Sequence, residues 1–330
     1  MATLYLTEQG STLRKTSRRL IVEKENEVLL EVPEFKIERV LIFGNVQLTT
    51  QAIAFLLANG IETSFLSVRG RLKGKLSPLE SKNVFLRVKQ YEKAKDEEFR
   101  LDLSRTIVER KIKNGKTLLL RYARSHPEVD IDKSIREINR CLRALPRKER
   151  ISTVMGIEGQ AGAAYFKAFG KMFRKELRFE RRTRRPPRDP INALLSLGYT
   201  MITNEILSMV SAIGFDPYIG FFHGISYGRP SLALDIVEEF RHPIVDTLTL
   251  NLVNNSVLKE KDFVAEKGGY FLTDEARKKY FVYYEKKLTG EFTLHNTDTK
   301  VTFRRSFDIQ AHKMEKTLME EEAYKPFAMG

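Results

Sequence analysis

Several residue types that serve common functions are scarce in this chain of 330 residues. The sequence has one cysteine, Cys141, and no tryptophan. A single thiol excludes an internal disulfide framework and any zinc site built from several thiolates, and it is typical of the reducing cytoplasm. Cys141 lies at helical spacing from Ile135, Ile138 and Leu142, which predicts a position in a hydrophobic core.

Targeting and membrane segments are also missing from the pattern. The start of the chain, "MATLYLTEQG", lacks a basic region followed by an apolar run, so no signal peptide is expected. No apolar stretch is expected to approach the length that spans a membrane. We therefore expect a cytoplasmic protein without membrane association.

Acidic residues are fewer than basic residues: the chain has 43 aspartates and glutamates but 57 lysines and arginines. The formal net charge of +14 indicates a polyanionic partner, of which nucleic acid is the most common. A basic enzyme without such a partner is the alternative that charge alone leaves open. The hydrophobic fraction of 42% is sufficient for a substantial core.

The chain changes character near residue 80. Residues 1–80 contain short runs rich in Val, Ile, Leu and Thr, with a hairpin turn at "EKENEV" and one helix that ends at Gly60. In residues 81–330 apolar residues recur every three or four positions. The predicted class is α+β, a small N-terminal mostly-β domain followed by a larger all-α C-terminal domain. Its helices are predicted at about 131–145, 150–178, 190–213 and 231–254.

Local signals support two features of the second region. Asp189 and Pro190 predict a helix start, because Asp is a preferred capping residue and Pro suits the first helical position. The stretch "EFTLHNTDTKVTFRRSF" predicts a β-like excursion before a charged last helix.

The stretch "GISYG", residues 224–228, matches the G-x-S-x-G turn of serine hydrolases, with Ser226 as the nucleophile. That turn needs a strand before it and a helix directly after it. Here Gly228, Arg229 and Pro230 interrupt any helix that would follow. The pattern favours an ordinary turn, and a serine hydrolase is the weaker interpretation.

An acidic cluster follows this turn in "SLALDIVEEF". At helical spacing Asp235, Glu238 and Glu239 share one face, opposite the apolar residues. Such a face is usually solvated. Together with His223 before the turn, however, these carboxylates offer the oxygen and imidazole ligands that suit Mg²⁺ or Mn²⁺.

A lone acid, Glu158, stands among glycines and small apolar residues in "MGIEGQAGAAYF". The glycine spacing predicts a close helix crossing. A carboxylate in such a place is costly unless a cation or several donors accompany it. Glu158 is therefore either part of a structural pair or a functional residue whose cation is a metal.

A basic segment, "RKELRFERRTRRPPR", covers residues 174–188. It predicts a track for phosphate groups, with a solvated loop or helix end as the alternative. Its first four arginines are predicted to align on one side of a helix. The candidate DNA-binding residues are Arg174, Arg178, Arg181, Arg182, Arg184 and Arg185. A second basic patch consists of Arg69, Arg71, Lys73 and Lys75.

Three blocks occur in order along the chain: "MGIEGQAGAAYF", "RRPPRDPINALLSLGYT" and "GFFHGISYGRPSLALDIVEEFR". Together they resemble the CRISPR-associated integrase and endonuclease of spacer acquisition, the first and near-universal Cas family. The resemblance covers essentially the whole chain, and the C-terminal part is the least informative. In that family a β N-terminal domain precedes an α-helical C-terminal domain.

The resemblance implies a set of site residues. The metal ligands of the family fall on Glu158, His223 and Glu238, and the implied cofactor is Mg²⁺ or Mn²⁺. The other matching positions are Asp235, a supporting acidic residue, and Asn192 and Tyr199, which line the site.

The resemblance also implies metal-dependent phosphoryl transfer, in which the 3′-hydroxyl of captured DNA attacks a phosphodiester at the repeat boundary. Water in place of the hydroxyl would give endonuclease activity, and the reverse attack would act on branched DNA. The family works as homodimers, paired through the N-terminal domains, which form a heterohexamer with the small second Cas protein on double-stranded DNA. The alternative is a non-catalytic basic DNA-binding scaffold, in which Glu158 would pair with an arginine.

Overall fold

The chain divides into two compact units. The first contains residues 1–80 with Arg277–Phe281, and the second contains Ser81–Ala276 and Val282–Gly330. The first is rich in strands and the second is mostly helical, which confirms the α+β class, although short hairpins make the second unit less than all-helical. The computed structural model describes residues 2–68, 70–77, 81, 83–294 and 299–329.

The first unit contains two four-stranded sheets with the orders β1-β5-β7-β8 and β4-β3-β2-β6. Buried Leu, Ile and Val side chains from both sheets pack with helix α1 (Thr50–Ala58) into one hydrophobic core. The strands are β1 (Ala2–Leu6), β2 (Thr12–Thr16), β3 (Arg19–Lys24), β4 (Glu27–Pro33), β5 (Ile37–Phe43), β6 (Gln47–Leu48), β7 (Glu62–Leu66) and β8 (Leu72–Leu76).

Local sequence signals explain the turn and the helix of this unit. Glu25 and Asn26 have φ angles of 51° and 68° in the predicted turn between β3 and β4. Helix α1 begins after Thr49, whose side chain accepts a hydrogen bond from the backbone N–H of Ala52. Gly60 follows the end of α1 with a φ of +63°, a conformation that glycine adopts without strain.

The second predicted basic patch is only partly described. Arg71 precedes β8 and Lys73 lies on it, and both side chains are exposed. Lys75, also on β8, is half-buried, and burial lowers its pKa to about 8. Arg69 lies outside the described residues.

Helices form most of the described part of the second unit. They are α2 (Val84–Lys95), α3 (Glu97–Ser125), α4 (Asp132–Ala144), α5 (Ile151–Lys171), α6 (Pro190–Ile213), α7 (Ser231–Val237), α8 (Thr247–Asn254), α9 (Asp274–Thr289) and α10 (Phe303–Met319). The short hairpins are β9 (Phe263–Glu266) with β10 (Gly269–Leu272), and β11 (Glu291–Thr293) with β12 (Lys300–Thr302). The second hairpin lies in the predicted β-like excursion.

Two predicted helices are shorter than expected. Helix α5 ends at Lys171 instead of near residue 178, because the chain after it turns back and packs over Gly170. The approach is so close that a Cβ at position 170 would lie 2.6 Å from the backbone carbonyl oxygen of Phe179. The helix predicted over 231–254 is interrupted by a π-helical turn, Arg241–Asp246, between α7 and α8. Such turns are frequent at functional sites.

Helix α6 begins as predicted, with the Asp189 side chain accepting a hydrogen bond of 2.7 Å from the backbone N–H of Asn192. It is also long and apolar enough to span a membrane by length and composition, which corrects the expectation that no stretch approaches that length. Of its apolar window, 67% is buried inside the protein. Such burial is typical of the core helix of a folded domain.

Candidate active site

Separate elements of the second unit bring the predicted acids and the histidine together. Glu158 lies on α5, His223 in the loop before α7, and Glu238 at the C-terminal end of α7. Helix α3 contributes Lys111, which the sequence patterns did not single out. The site is therefore assembled from distant parts of the chain. Lys111 and Glu238, for example, form an ion pair although they are 127 positions apart.

Lys111 bridges the two predicted acidic ligands. Its ammonium group forms an ion pair with Glu158 Oε1 and lies 2.6 Å from Glu238 Oε2. The two carboxylates therefore converge on one cation.

The surroundings of Glu238 keep it ionised despite its burial. Its side chain is only 2% exposed, and burial on its own raises the pKa of a carboxyl. The charges of Arg241, 3.1 Å from Oε1, and Lys111 outweigh burial and hold the pKa at about 2. Glu238 is thus a charged carboxylate at neutral pH.

His223 is oriented by Asp235, the predicted supporting acid. Asp235 Oδ1 accepts from the backbone N–H of His223 at 2.9 Å and lies 2.7 Å from Nδ1 of the same ring. With its proton on Nδ1, donated to Asp235, the ring presents the lone pair of Nε2 to a cation. Nε2 lies 3.8 Å from Glu238 Oε1. Asp235 is fully buried and acts through the histidine, whereas His223 is 20% exposed.

The loop around His223 requires glycine at its start. A Cβ on Gly220 would lie 2.7 Å from the Ser231 carbonyl carbon and 2.8 Å from Asp235 Oδ2. The close approach lets Asp235 Oδ2 also accept the backbone N–H of Phe221, at 2.6 Å. Ser226 lies in an irregular part of this loop with no strand leading into it, so the elbow of a serine hydrolase is absent from this described segment.

The alternative of a solvated acidic face does not apply, because Asp235, Glu238 and Glu239 are all buried. Glu239 also points elsewhere. It accepts hydrogen bonds from Tyr324 Oη at 2.5 Å and from the Phe327 backbone N–H at 2.6 Å. Burial raises the pKa of Glu239 to about 7. Through these hydrogen bonds Glu239 holds the segment after α10, and it takes no part in the cluster around Lys111.

A second buried cluster lies behind Arg241 and is centred on Asp246. The carboxylate of Asp246 accepts from Tyr199 Oη at 2.5 Å and from Tyr165 Oη at 2.7 Å, and lies 2.7 Å from His242 Nδ1. The guanidinium group of Arg241 lies 5.1 Å from the centre of the Tyr199 ring. This network supports the arginine that pairs with Glu238.

Asn192 and Tyr199 have different places near the site. Tyr199 lines a cavity together with Glu158, Lys111 and Arg182. Asn192 is not among the described residues that line it. Its Oδ1 instead accepts from Arg182 at 2.7 Å, so Asn192 holds the basic segment in position.

The basic segment is irregular, so the predicted alignment of Arg174, Arg178, Arg181 and Arg182 on one helical side is wrong. The buried Leu177 and the Phe179 ring anchor the segment to the core instead. Arg182 and Arg184 line the cavity beside Glu158. The other four candidates, Arg174, Arg178, Arg181 and Arg185, are exposed.

The arrangement can hold a divalent cation. Glu158, Glu238 and His223 offer carboxylate oxygens and one imidazole nitrogen, the ligand types that suit Mg²⁺ or Mn²⁺, around a position that already attracts a cation. Within the described ranges no three His, Cys, Asp or Glu side chains already form a metal-binding group. The ammonium group of Lys111 lies between the two carboxylates.

Lys111 and Arg241 are the functional candidates that sequence reasoning missed. Lys111 falls in the apolar stripe of α3 with Ile107, Val108 and Ile112, all of them buried. A charge in such a stripe is costly without a partner, so its position was an available signal. For Arg241 the sequence offers no comparable signal, because its burial depends on the π-helical turn.

Comparisons with known proteins agree with this architecture. A family model described as CRISPR associated protein Cas1 matches residues 4–286. A CRISPR-associated endonuclease Cas1 of Moorella thermoacetica is 35% identical over 98% of this chain and 97% of its own length. A CRISPR-associated exonuclease Cas4/endonuclease Cas1 fusion of Geobacter sulfurreducens is 35% identical over 96% of this chain, which spans 58% of the fusion.

Solved structures show the same fold. A CAS1 protein from Thermotoga maritima superimposes with a TM-score of 0.83 at 30% identity, covering 98% of this chain and 99% of that one. A casposase bound to an integration product has a TM-score of 0.88 at 24% identity, covering 99% and 93%, and shares the fold. By the family model and the full-length relatives, the chain belongs to the CRISPR associated protein Cas1 family.

Proposed function

We propose that this chain is the metal-dependent integrase and endonuclease of CRISPR adaptation, which joins new spacer DNA to the repeat array. One observation carries the proposal: Glu158 and Glu238, from two helices, converge on one cationic position beside His223. Membership in the Cas1 family, whose relatives are named endonucleases, agrees with it. The casposase with this fold is bound to an integration product.

The proposed cofactor is Mg²⁺ or Mn²⁺, held by Glu158, Glu238 and His223. When bound, such an ion polarises a phosphodiester and stabilises charge on the attacking and leaving oxygens. Asp235 keeps His223 Nε2 available, and Arg241 holds Glu238 in place. Arg182 and Arg184 line the same cavity as Glu158 and are proposed to bind phosphate oxygens.

The proposed substrates and partners follow from the family. The DNA is double-stranded, with the spacer precursor and the CRISPR repeat as the two reacting molecules. The exposed arginines Arg174, Arg178, Arg181 and Arg185 are proposed to bind its backbone. We further propose a homodimer that forms a heterohexamer with the small second Cas protein in the cytoplasm.

Disintegration of a branched DNA tests this function without knowledge of the repeat sequence. Glu158→Gln keeps the shape of the side chain and removes the charge, so strand transfer with Mn²⁺ should fall by about 10³-fold. The matched control is Glu176→Gln, an exposed acid in the basic segment, which should retain activity. Both variants change net charge equally, so DNA affinity should change by a similar small factor in the two.

The competing function is a non-catalytic DNA-binding scaffold. The ion pair of Lys111 with Glu158 favours it, because a purely structural acid would need such a partner, although a lysine and not the expected arginine provides it. Full strand transfer by Glu158→Gln, or strand transfer that persists in a metal chelator, would overturn the proposed metal-dependent enzyme. Loss of activity with retained DNA binding would exclude the scaffold.

A further inference from the structure

Lys111 occupies the point at which the two acidic side chains meet. It forms an ion pair with Glu158 and lies 2.6 Å from Glu238 Oε2, and its own side chain is only 11% exposed. Burial of a lysine is costly unless anions compensate its charge, and here two carboxylates do so. The same two carboxylates are those proposed to hold the divalent ion.

The contact with Glu238 places the ammonium group directly on a carboxylate oxygen. The distance of 2.6 Å from Lys111 Nζ to Glu238 Oε2 is typical of a close, charge-assisted contact. Lys111 is also one of the two cations that lower the pKa of Glu238. A divalent cation bound by both glutamates would need the same oxygen atoms that the ammonium group now contacts.

We propose that Lys111 is a built-in competitor for the metal: its ammonium stands between Glu158 and Glu238 in the metal-free protein, and metal binding displaces it. This inference rests on the metal centre under the proposed function. An ammonium and a divalent ion repel each other at the same carboxylates, so they exclude one another. The lysine therefore stabilises the empty site and lowers the affinity for metal.

The structure offers Lys111 a way out of the site. Its side chain also lines the cavity shared with Arg182, Arg184 and Tyr199. The ammonium group can therefore leave both carboxylates without crossing the packed core. The cavity wall already carries two arginines, so the displaced charge is best accommodated when an anion such as a phosphate group is present.

Mn²⁺ titration of the full-length, DNA-free protein tests the inference. By isothermal calorimetry, Lys111→Met should bind Mn²⁺ at least about tenfold more tightly than the unchanged protein, because Glu158 and Glu238 lose the cation they share. The thermal midpoint of Lys111→Met should also rise more on addition of Mn²⁺. The matched control is Lys113→Met, on the same helix, whose lysine is 46% exposed and pairs with Glu109; its Mn²⁺ affinity should stay unchanged.

Lys111→Arg guards against a Lys111→Met protein that fails to fold. Arginine keeps the charge and binds carboxylates through two parallel hydrogen bonds, so it should weaken Mn²⁺ binding. Unchanged or weaker Mn²⁺ affinity in Lys111→Met, or tighter binding in Lys111→Arg, would overturn the inference and leave the metal centre intact. Absence of Mn²⁺ binding in every protein would overturn the metal centre itself, and this inference with it.

Discussion

Glu238 and Glu239 are adjacent and almost equally buried, yet they have different surroundings and serve different ends. Both side chains are at most 2% exposed. Burial raises the pKa of each, but around Glu238 the charges of Arg241 and Lys111 prevail and the pKa is about 2. Around Glu239 the closest donors are neutral and the pKa rises to about 7. The charge of the neighbours, and not depth, decides the role of a buried acid.

Each glutamate is tied to a different part of the unit. Glu238 belongs to the cationic cluster that also contacts Glu158, whereas Glu239 binds the segment after α10. Asn114 strengthens the second attachment, because its Nδ2 donates to the backbone carbonyls of Glu239 and Phe327 at 2.9 and 3.0 Å. Of these two neighbouring residues, Glu238 therefore belongs to the proposed active site, whereas Glu239 anchors the C-terminal segment.

The largest expected effect comes from neutralising each glutamate in turn. Glu238→Gln should reduce strand transfer on branched DNA by about 10³-fold, because the amide is a poor metal ligand and loses the attraction of both cations. Glu239→Gln, the matched neighbour, should stay within about threefold, because it does not contact the cluster. Similar losses in the two variants would contradict the division of roles between them.

The pH dependence of stability should also separate the two acids. Because the folded pKa of Glu239 is about 7, above its ordinary value of 4.5, the unfolded chain loses this proton first as pH rises. Glu239 therefore lowers the free energy of unfolding progressively from about pH 4.5 to pH 7, by about 3 kcal/mol in all. Glu238, with its lowered pKa, acts oppositely and loses its stabilising effect only as pH falls from 4.5 toward 2.

Urea unfolding at pH 5 and at pH 8, in a metal chelator, measures this slope. Glu239→Gln should gain roughly 2–3 kcal/mol relative to the unchanged protein between the two pH values, because the amide does not titrate and part of the loss lies below pH 5. A variant whose difference from the unchanged protein is the same at both pH values would show that Glu239 has an ordinary pKa.

Asp235, a third buried acid, tests whether the orientation of the His223 ring matters for metal binding. Asp235→Asn should weaken Mn²⁺ binding by about 10- to 100-fold, because the ring of His223 loses the charged acceptor that fixes its Nδ1 proton. Calorimetric titration of the DNA-free protein gives this affinity. Asp216→Asn, which removes a carboxylate that accepts from Tyr91 at a different position, should leave the affinity unchanged.

Local features of the fold could be predicted because their causes are local. The capping of α6 by Asp189 and the turn at Glu25 and Asn26 depend on residues within a few positions of each other. The early end of α5 could not be predicted, because it depends on Phe179 packing back over Gly170. The same holds for the π-helical turn, whose Arg241 and Asp246 both contact Tyr199 of α6.

The site shows the same limit. Motifs identified Glu158, His223 and Glu238 as candidates, since each motif is short and contiguous. Neither the Lys111 bridge nor the burial of Asp235 follows from a motif, because both need α3, α5 and α7 to be placed in space. Charge spacing predicts a helix for the arginines of residues 174–188. It does not reveal that the Phe179 ring packs on Phe169 and anchors this segment in an irregular conformation.

The smallest expected effect lies on the structural side of the comparison. Tyr324→Phe removes the 2.5 Å hydrogen bond to Glu239 and leaves a buried oxygen with one donor fewer, at a cost of about 1–2 kcal/mol in the free energy of unfolding. Tyr227→Phe, on a fully exposed side chain of the loop after His223, should change stability by less than about 0.5 kcal/mol. Strand transfer by Tyr324→Phe should persist in the folded protein, because Glu238 keeps both of its cations. A loss of activity at full stability would instead mean that the segment after α10 positions Glu238 through its neighbour.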